Sequence, residues 1–251
     1  MLNARYLPYW PFIVAITCTA GVLVHRMALS RRWTSDDNLI YFASHVALNA
    51  YLCQTALPYV VDMLDTNRFI SSTQGLLPGS SDCVFVICGF HLYHVATQWR
   101  RLSIGDWLHH LVSVGASTGL FLQCDHAVGC AILFFMCGLP GWIDYTTLMF
   151  RKAGWTTALT QKRISSLVNI SIRMPGILWC YVVAYQIGLD HPNRRYFWGT
   201  CVLSAANGLY FGYDAIRAYG KALACIDSTA RSDVQPLDHP HCALSKRVSA
   251  T

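Results

Sequence analysis

The chain has 251 residues, of which 54% are hydrophobic and 13% are charged. A soluble domain carries about 25% charged residues, so this composition argues against an ordinary water-soluble fold and assigns the long apolar stretches to lipid. The formal net charge of +6 comes from basic residues that flank apolar runs. They form no dense patch, which argues against a nucleic-acid surface.

In chain order, apolar segments at 8–25, 39–61, 83–99, 105–124, 127–150, 167–188 and 196–219 predict an all-α, polytopic membrane protein of about seven transmembrane helices. Only Arg5 precedes the first segment, Pro8 and Pro11 interrupt its start, and no small-residue cleavage pattern precedes His25 and Arg26, so it reads as a retained helix. Residues 1–34 are then a first helix with a basic loop, and 35–222 one transmembrane domain. The stretch 62–82, with Gly75, Pro78 and Gly79, reads as a loop. The polar segment 223–251, with Pro236 and Pro240, reads as a disordered tail.

Basic residues also set an expected orientation. Arg26, Arg31, Arg32, Arg100, Arg101, Arg151, Lys152, Lys162, Arg163, Arg217 and Lys221 fall on one side; Arg5, Arg68, Arg194 and Arg195 fall on the other. Positive-inside bias puts the N-terminus in the lumen or outside and the C-terminus in the cytosol. Of the eleven cysteines, most lie in apolar segments without metal-type spacing and read as small apolar fillers.

His45, His91, His94, His109, His110, Asp144, Arg173 and Asp214 fall at nearly one depth. Each lies roughly 7–12 Å from the cytosolic face at about 1.5 Å per helical residue. Ionisable groups are costly in a bilayer and mark functional sites, so these residues predict one polar chamber open to the cytosol. His91, His94 and Gln98 share a helix face, as do Asp106 and His110 on the next segment. The short basic turn at 100–104 makes those two helices antiparallel neighbours. Gly138-Leu139-Pro140-Gly141 predicts a bend that exposes backbone carbonyls beside Asp144. Asn169 and Arg173 share a face before Pro175, and Asp144 and Asp214 are the candidate counter-ions of Arg173. Asn207, Tyr210, Asp214 and Arg217 form one stripe.

Several of these residues have plainer readings. His25 reads as interfacial, and His45 with Asn49 as an interhelical hydrogen-bonding pair. Asp106 reads as a helix N-cap, Asp214 and Arg217 as a pair along one helix, and Arg173 with Asp144 as a structural ion pair. The adjacent His109 and His110 are hardest to explain by packing. Two chemistries suit the layer. In acyl transfer, His110 is general base or nucleophile, Asp106 orients its ring, His109 is a second imidazole and Arg173 meets developing negative charge. The other is metal ligation by histidines. The lack of any Glu and the small number of intramembrane histidines weigh against it, so no metal ligands are assigned.

The stretch GFHLYHVATQWRRLSIGDWLHHLVSV, from Gly89 to Val114, resembles the TLC-domain family, which includes ceramide synthases and translocating-chain-associated membrane proteins. Pro140 to Trp155, Asn169 to Pro175 and Ala206 to Tyr210 are similar to later parts of the family pattern, and the resemblance spans roughly residues 35–222. It implies a ring of helices around a cytosol-facing chamber in the endoplasmic reticulum. It also implies a role in lipid metabolism or membrane lipid homeostasis, with acyl-CoA as co-substrate and the His-His role on His109 and His110. The second acidic pattern of ceramide synthases is reduced to Ile143-Asp144-Tyr145, which makes the chain more similar to the small TLC-domain proteins. The expected function is acyl transfer from acyl-CoA to a lipid amine or hydroxyl, with His91, His94, Asp144, Arg173, Asn207 and Asp214 lining the substrate site and no resident cofactor. The alternatives are a non-enzymatic lipid sensor or trafficking protein, and a His-ligated, metal-dependent lipid oxygenase or hydrolase.

Overall fold

The computed structural model of the chain describes residues 9–30, 37–65, 82–112, 128–190 and 194–232. All regular structure among the described residues is helical, in agreement with the all-α expectation. The helices are α1 (Trp10–Ser30), α2 (Asp37–Leu64), α3 (Asp82–Gln98), α4 (Ile104–His110), α5 (Val128–Leu133), α6 (Leu139–Lys152), α7 (Ala158–Val168), α8 (Met174–Asp190) and α9 (Arg194–Ser232). Two π-helical turns, Phe134–Gly138 and Asn169–Arg173, join α5 to α6 and α7 to α8 without a break.

Pro11–Ser30, Val128–Lys152 and Ala158–Gln186 are long and apolar enough to cross a membrane, and Cys83–Gln98 is a shorter apolar helix. Large apolar side chains coat the outside: Phe12, Ile16 and Leu23 on α1, Leu178 and Val182 on α8, Val202 and Leu209 on α9. Such a coat would be a liability in water and is ordinary against lipid tails.

Each π-turn lies just before a proline, Pro140 or Pro175. Proline lacks the N–H that continues an α ladder and crowds the carbonyl four residues back. For Pro140 that carbonyl belongs to Met136, inside the first π-turn. The helix absorbs the defect by widening, with the Leu139 N–H bonding the Phe134 oxygen, and keeps its course instead of ending. The expected exposure of backbone carbonyls is therefore realised as a π-turn.

Further along, α6 ends in a Schellman-type cap. The Gly154 N–H bonds the Arg151 oxygen at 3.1 Å, and the Trp155 N–H reaches the Phe150 oxygen at 2.9 Å. Gly154 has a φ of 76°, a left-handed conformation natural to glycine. Thr157 then caps α7 through the Thr160 N–H.

Two apolar clusters support these helices. One gathers Leu52, Cys83, Val84, Phe85 and Leu133 with Val14 of α1; the other gathers Met63, Ala131, Ile132, Cys180 and Val183. Most of the described cysteines are buried, as their apolar settings predicted. α1 packs along α3, α2 along α5 and α6, and α8 along α9.

Three expectations change. The last helix does not stop near 222 but runs to Ser232. Its extension, Lys221 to Ser232, has no Pro or Gly, and several of its residues are good helix formers. Residues 233–251 lie outside the described residues, as do the 66–81 part of the expected loop, the 113–124 part of the fourth apolar segment and residues 125–127 after it. His25 is not left on the outer surface of the helices. It is buried, and its Nδ1 lies 2.9 Å from the Tyr93 hydroxyl. The α1 helix continues five residues past its expected end, to Ser30, carrying His25 onto α3.

The α1–α3 contact is close because Gly89 lacks a side chain. A Cβ there would stand 2.6 Å from the Val14 carbonyl oxygen and 2.8 Å from the Thr17 Cβ. Gly220 has nothing within 4 Å. Gly89→Val is expected to destabilise the protein by about 1–3 kcal/mol through overpacking, read as a lower unfolding temperature in detergent, whereas Gly220→Ala leaves that temperature unchanged or slightly raised.

Candidate functional site: a histidine chamber

The polar layer encloses one cavity of about 440 Å³. Its lining includes His45, His91, His94, Asp106, His109, His110, Asp144, Arg173 and Asn207. Of the residues the sequence assigned to the site, only Asp214 lies elsewhere. It is exposed on α9, one turn beyond the cavity-lining Phe211. Counting depth along an unkinked helix cannot tell which side of that helix faces inward, and Asp214 falls on the outer side.

The histidines of α3 and α4 meet as the short turn requires. His91 Nδ1 lies 2.9 Å from His110 Nδ1. The ring centres of His91 and His109 are 5.3 Å apart, and those of His94 and His110 are 5.7 Å apart. His109 Nδ1 reaches Asn207 Oδ1 of α9 at 3.2 Å. An amide oxygen only accepts, so His109 carries its proton on Nδ1 and its lone pair on Nε2.

Asp106 does not orient His110. Ser103 is the N-cap of α4, and Asp106 is the third residue of a capping box. Its Oδ2 accepts from the Ser103 N–H at 2.9 Å and from the Ser103 hydroxyl at 2.7 Å. The i, i+4 spacing to His110 is real, but the carboxylate is engaged with the helix end, and the hydrogen-bonding partner of the His110 ring is His91.

The cation and anion expected to pair do so. Arg173 Nη2 stands 3.4 Å from Asp144 Oδ2, with both side chains largely buried. Arg173 Nε donates to the Met136 oxygen at 3.1 Å, the carbonyl crowded by Pro140, and Nη1 donates to Asn169 Oδ1. Asn169 in turn donates to the Ser165 oxygen at 2.8 Å. The guanidinium therefore touches both π-turns and α6.

His45 belongs to the site, although sequence reasoning left it among structural pairs. Its Nδ1–H donates to the Tyr41 oxygen at 2.7 Å, and Asn49 instead abuts Gly141. The ring stacks between Tyr145, 3.8 Å away at 20°, and His94, 4.3 Å away at 24°. The clue was available in Tyr145, which directly follows Asp144, but no spacing rule links 45 to 145.

His94 is 3% exposed, and its Nε2 has no hydrogen-bond partner. Ligating nitrogens of His91, His94 and His110 lie within 4.8 Å of one another. A second, apolar pocket of about 50 Å³ lies beside the chamber and shares His91, His109, Met136, Cys137 and Asn207 with it; Val84, Ile132 and Leu203 line its other walls. No protein-family model, curated protein or solved structure matches the chain.

Removing one member of a buried ion pair leaves the other charge uncompensated, at a cost of about 3–5 kcal/mol, whereas an apolar pair of similar volume is often tolerated. Asp144→Leu is therefore expected to lower thermal stability in detergent sharply, and Asp144→Leu with Arg173→Met to recover most of the loss. Equal unfolding temperatures for the single and double variants would show that the pair does not hold the two π-turns.

Proposed function

We propose that the protein is a TLC-type membrane enzyme that transfers an acyl group to a lipid amine or hydroxyl. The observation that carries this reading is the His109–Asn207 pair on the wall shared by a polar chamber and an apolar pocket. An acyl donor needs a polar space for the reacting carbonyl and an apolar one for the first carbons of the chain; at about 50 Å³ the pocket takes only those first carbons.

In this reading seven helices cross the bilayer, the chamber opens to the cytosol, and the protein resides in the endoplasmic reticulum with a luminal N-terminus. Arg101 lines the chamber near the basic turn, where it would meet the phosphates of acyl-CoA. His109, held with its proton on Nδ1 by Asn207, presents the Nε2 lone pair. That nitrogen either removes the proton from the attacking lipid amine or hydroxyl and passes it to the departing CoA thiolate, or attacks the thioester carbonyl, releasing CoA thiolate, and then yields the acyl group to the lipid, whose proton goes to the thiolate. The leading role thus moves from His110 to His109, because His110 is engaged with His91. Arg173 keeps its expected task of meeting negative charge that develops on the carbonyl oxygen.

The second reading, a lipid-holding sensor or trafficking protein, is supported by one observation: Asp144 already neutralises Arg173 within the protein. The two readings separate in an assay of purified full-length protein in nanodiscs, supplied with acyl-CoA and a panel of lipid amines and alcohols. Loss of a general base lowers turnover by about 10²- to 10⁴-fold, so His109→Ala is expected to fall in that range. Asn207→Leu, which removes only the partner that orients the ring, is expected to lose roughly 10- to 100-fold with KM little changed. Full activity in His109→Ala would remove the catalytic role. Lipid binding without acyl transfer by the wild type would favour the second reading.

A further inference from the structure

We propose that His91, His94 and His110 form a binding site for one divalent transition-metal ion, of zinc type, with an open coordination position turned into the chamber. This does not rest on the acyl-transfer reading, because His109 and Asn207 are not among the ligands.

The geometry comes first. Three imidazoles from two helices converge, with ligating nitrogens within 4.8 Å of one another. Zinc–nitrogen bonds of about 2.0–2.1 Å at a tetrahedral centre place ligand nitrogens about 3.3 Å apart. Small rotations of the rings bring the observed nitrogens to that spacing. The closest two, His91 Nδ1 and His110 Nδ1, stand 2.9 Å apart and would open slightly.

Hydrogen bonding gives an independent reason. His94 Nε2 is buried and unpartnered, and a buried imidazole nitrogen left without a partner is costly. His91 and His110 face each other through their Nδ1 atoms, one donating to the other. A cation bound to all three nitrogens replaces that bond and satisfies the orphan. Ligation through Nδ1 leaves the Nε2–H groups of His91 and His110 as donors, the usual arrangement of metal-bound imidazoles.

The ligand set also indicates the kind of metal. Three neutral imidazoles without thiolate suit zinc or another late first-row dication and disfavour calcium or magnesium, which take oxygen ligands. Three protein ligands plus a vacant position is the pattern of catalytic zinc sites. All three histidines line the cavity, so the fourth position faces it and would take water or a substrate carbonyl oxygen. Asp106, lining the same cavity, supplies nearby negative charge.

The test uses the full-length chain, purified in detergent without an oligohistidine tag, stripped with chelator and titrated with zinc alone. About one zinc per chain is expected, with X-ray absorption showing a shell of imidazole nitrogens at about 2.0–2.1 Å. His94→Gln is expected to weaken binding by at least about tenfold, while His239→Ala/His241→Ala binds as wild type does. Retained helical circular dichroism controls for folding of the variants. Should the His94 variant unfold, the wild-type stoichiometry and absorption spectrum decide on their own. Zinc far below one per chain, undiminished binding in folded His94→Gln, or a shell without imidazole would each overturn the site. The two readings fail separately: acyl transfer by a protein that binds no zinc on titration overturns the site and leaves the acyl-transfer reading standing, and zinc binding without transfer does the reverse.

Discussion

The buried guanidinium of Arg173 is the tie on which the rest of the site depends. Its three nitrogens reach a backbone carbonyl of one π-turn, a side-chain oxygen of the other and a carboxylate on α6. Few side chains could do this. A guanidinium is planar, carries five donors and stays charged, so it can satisfy several acceptors in different directions at once. A lysine would offer one compact charge and leave some of those acceptors unmade. Because the Met136 carbonyl lies four residues before Pro140, the defect in one helix becomes the anchor for a charge on another. Proline, π-turn and arginine are thus parts of one device that holds the two long helical stretches in fixed register behind the chamber.

In front of that anchor much of the chamber wall is built from rings and amides, with Arg101 and Asp106 on the α4 side. His45 stacks between Tyr145 and His94, His91 meets His110, and His109 meets Asn207. A layer of this kind limits the desolvation cost that charged groups would impose in a bilayer, since neutral imidazoles can be buried if each finds a partner. The Arg173–Asp144 ion pair sits at the back. The other lining carboxylate, Asp106, sits at a helix start, where the N-terminal dipole and the Ser103 donors hold it. The lack of Glu in the chain fits a site whose polar chemistry rests on imidazole and amide.

Much of this was legible in the sequence. The described helices other than α7 lie on segments marked by apolar length, Asp144, one of the two candidate counter-ions, pairs with Arg173, and α3 and α4 meet across the short basic turn. What escaped is what local spacing cannot encode. Asp214 has the right depth but the wrong side of α9, because helix rotation is fixed by packing against α8. Asp106 has the right spacing to His110, yet Ser103 three residues earlier competes for its carboxylate and is closer. His45 is joined to Tyr145 only when α2 lies along α6, a contact made through Asn49 against the bare backbone of Gly141. The long C-terminal helix escapes a reading by composition because polar residues suit a solvated helix as well as a disordered tail.

The same geometry explains why one chamber can support both proposals without conflict. On the α9 side, Asn207 fixes His109 in one tautomer and aims it at the wall shared with an apolar pocket, which suits proton or acyl transfer. On the α2 side, His94 has a buried nitrogen with nothing to bond, beside two imidazoles that face each other. One proton satisfies the contact between those two rings and leaves the His94 nitrogen bare; a metal ion held by all three nitrogens leaves none bare. If the ion is held there, its open position and His109 face the same cavity from different walls, with Arg173 behind. A carbonyl placed among them would be polarised from one side and attacked or deprotonated from the other, an arrangement in which position, rather than any unusual basicity of a single residue, supplies most of the chemical advantage.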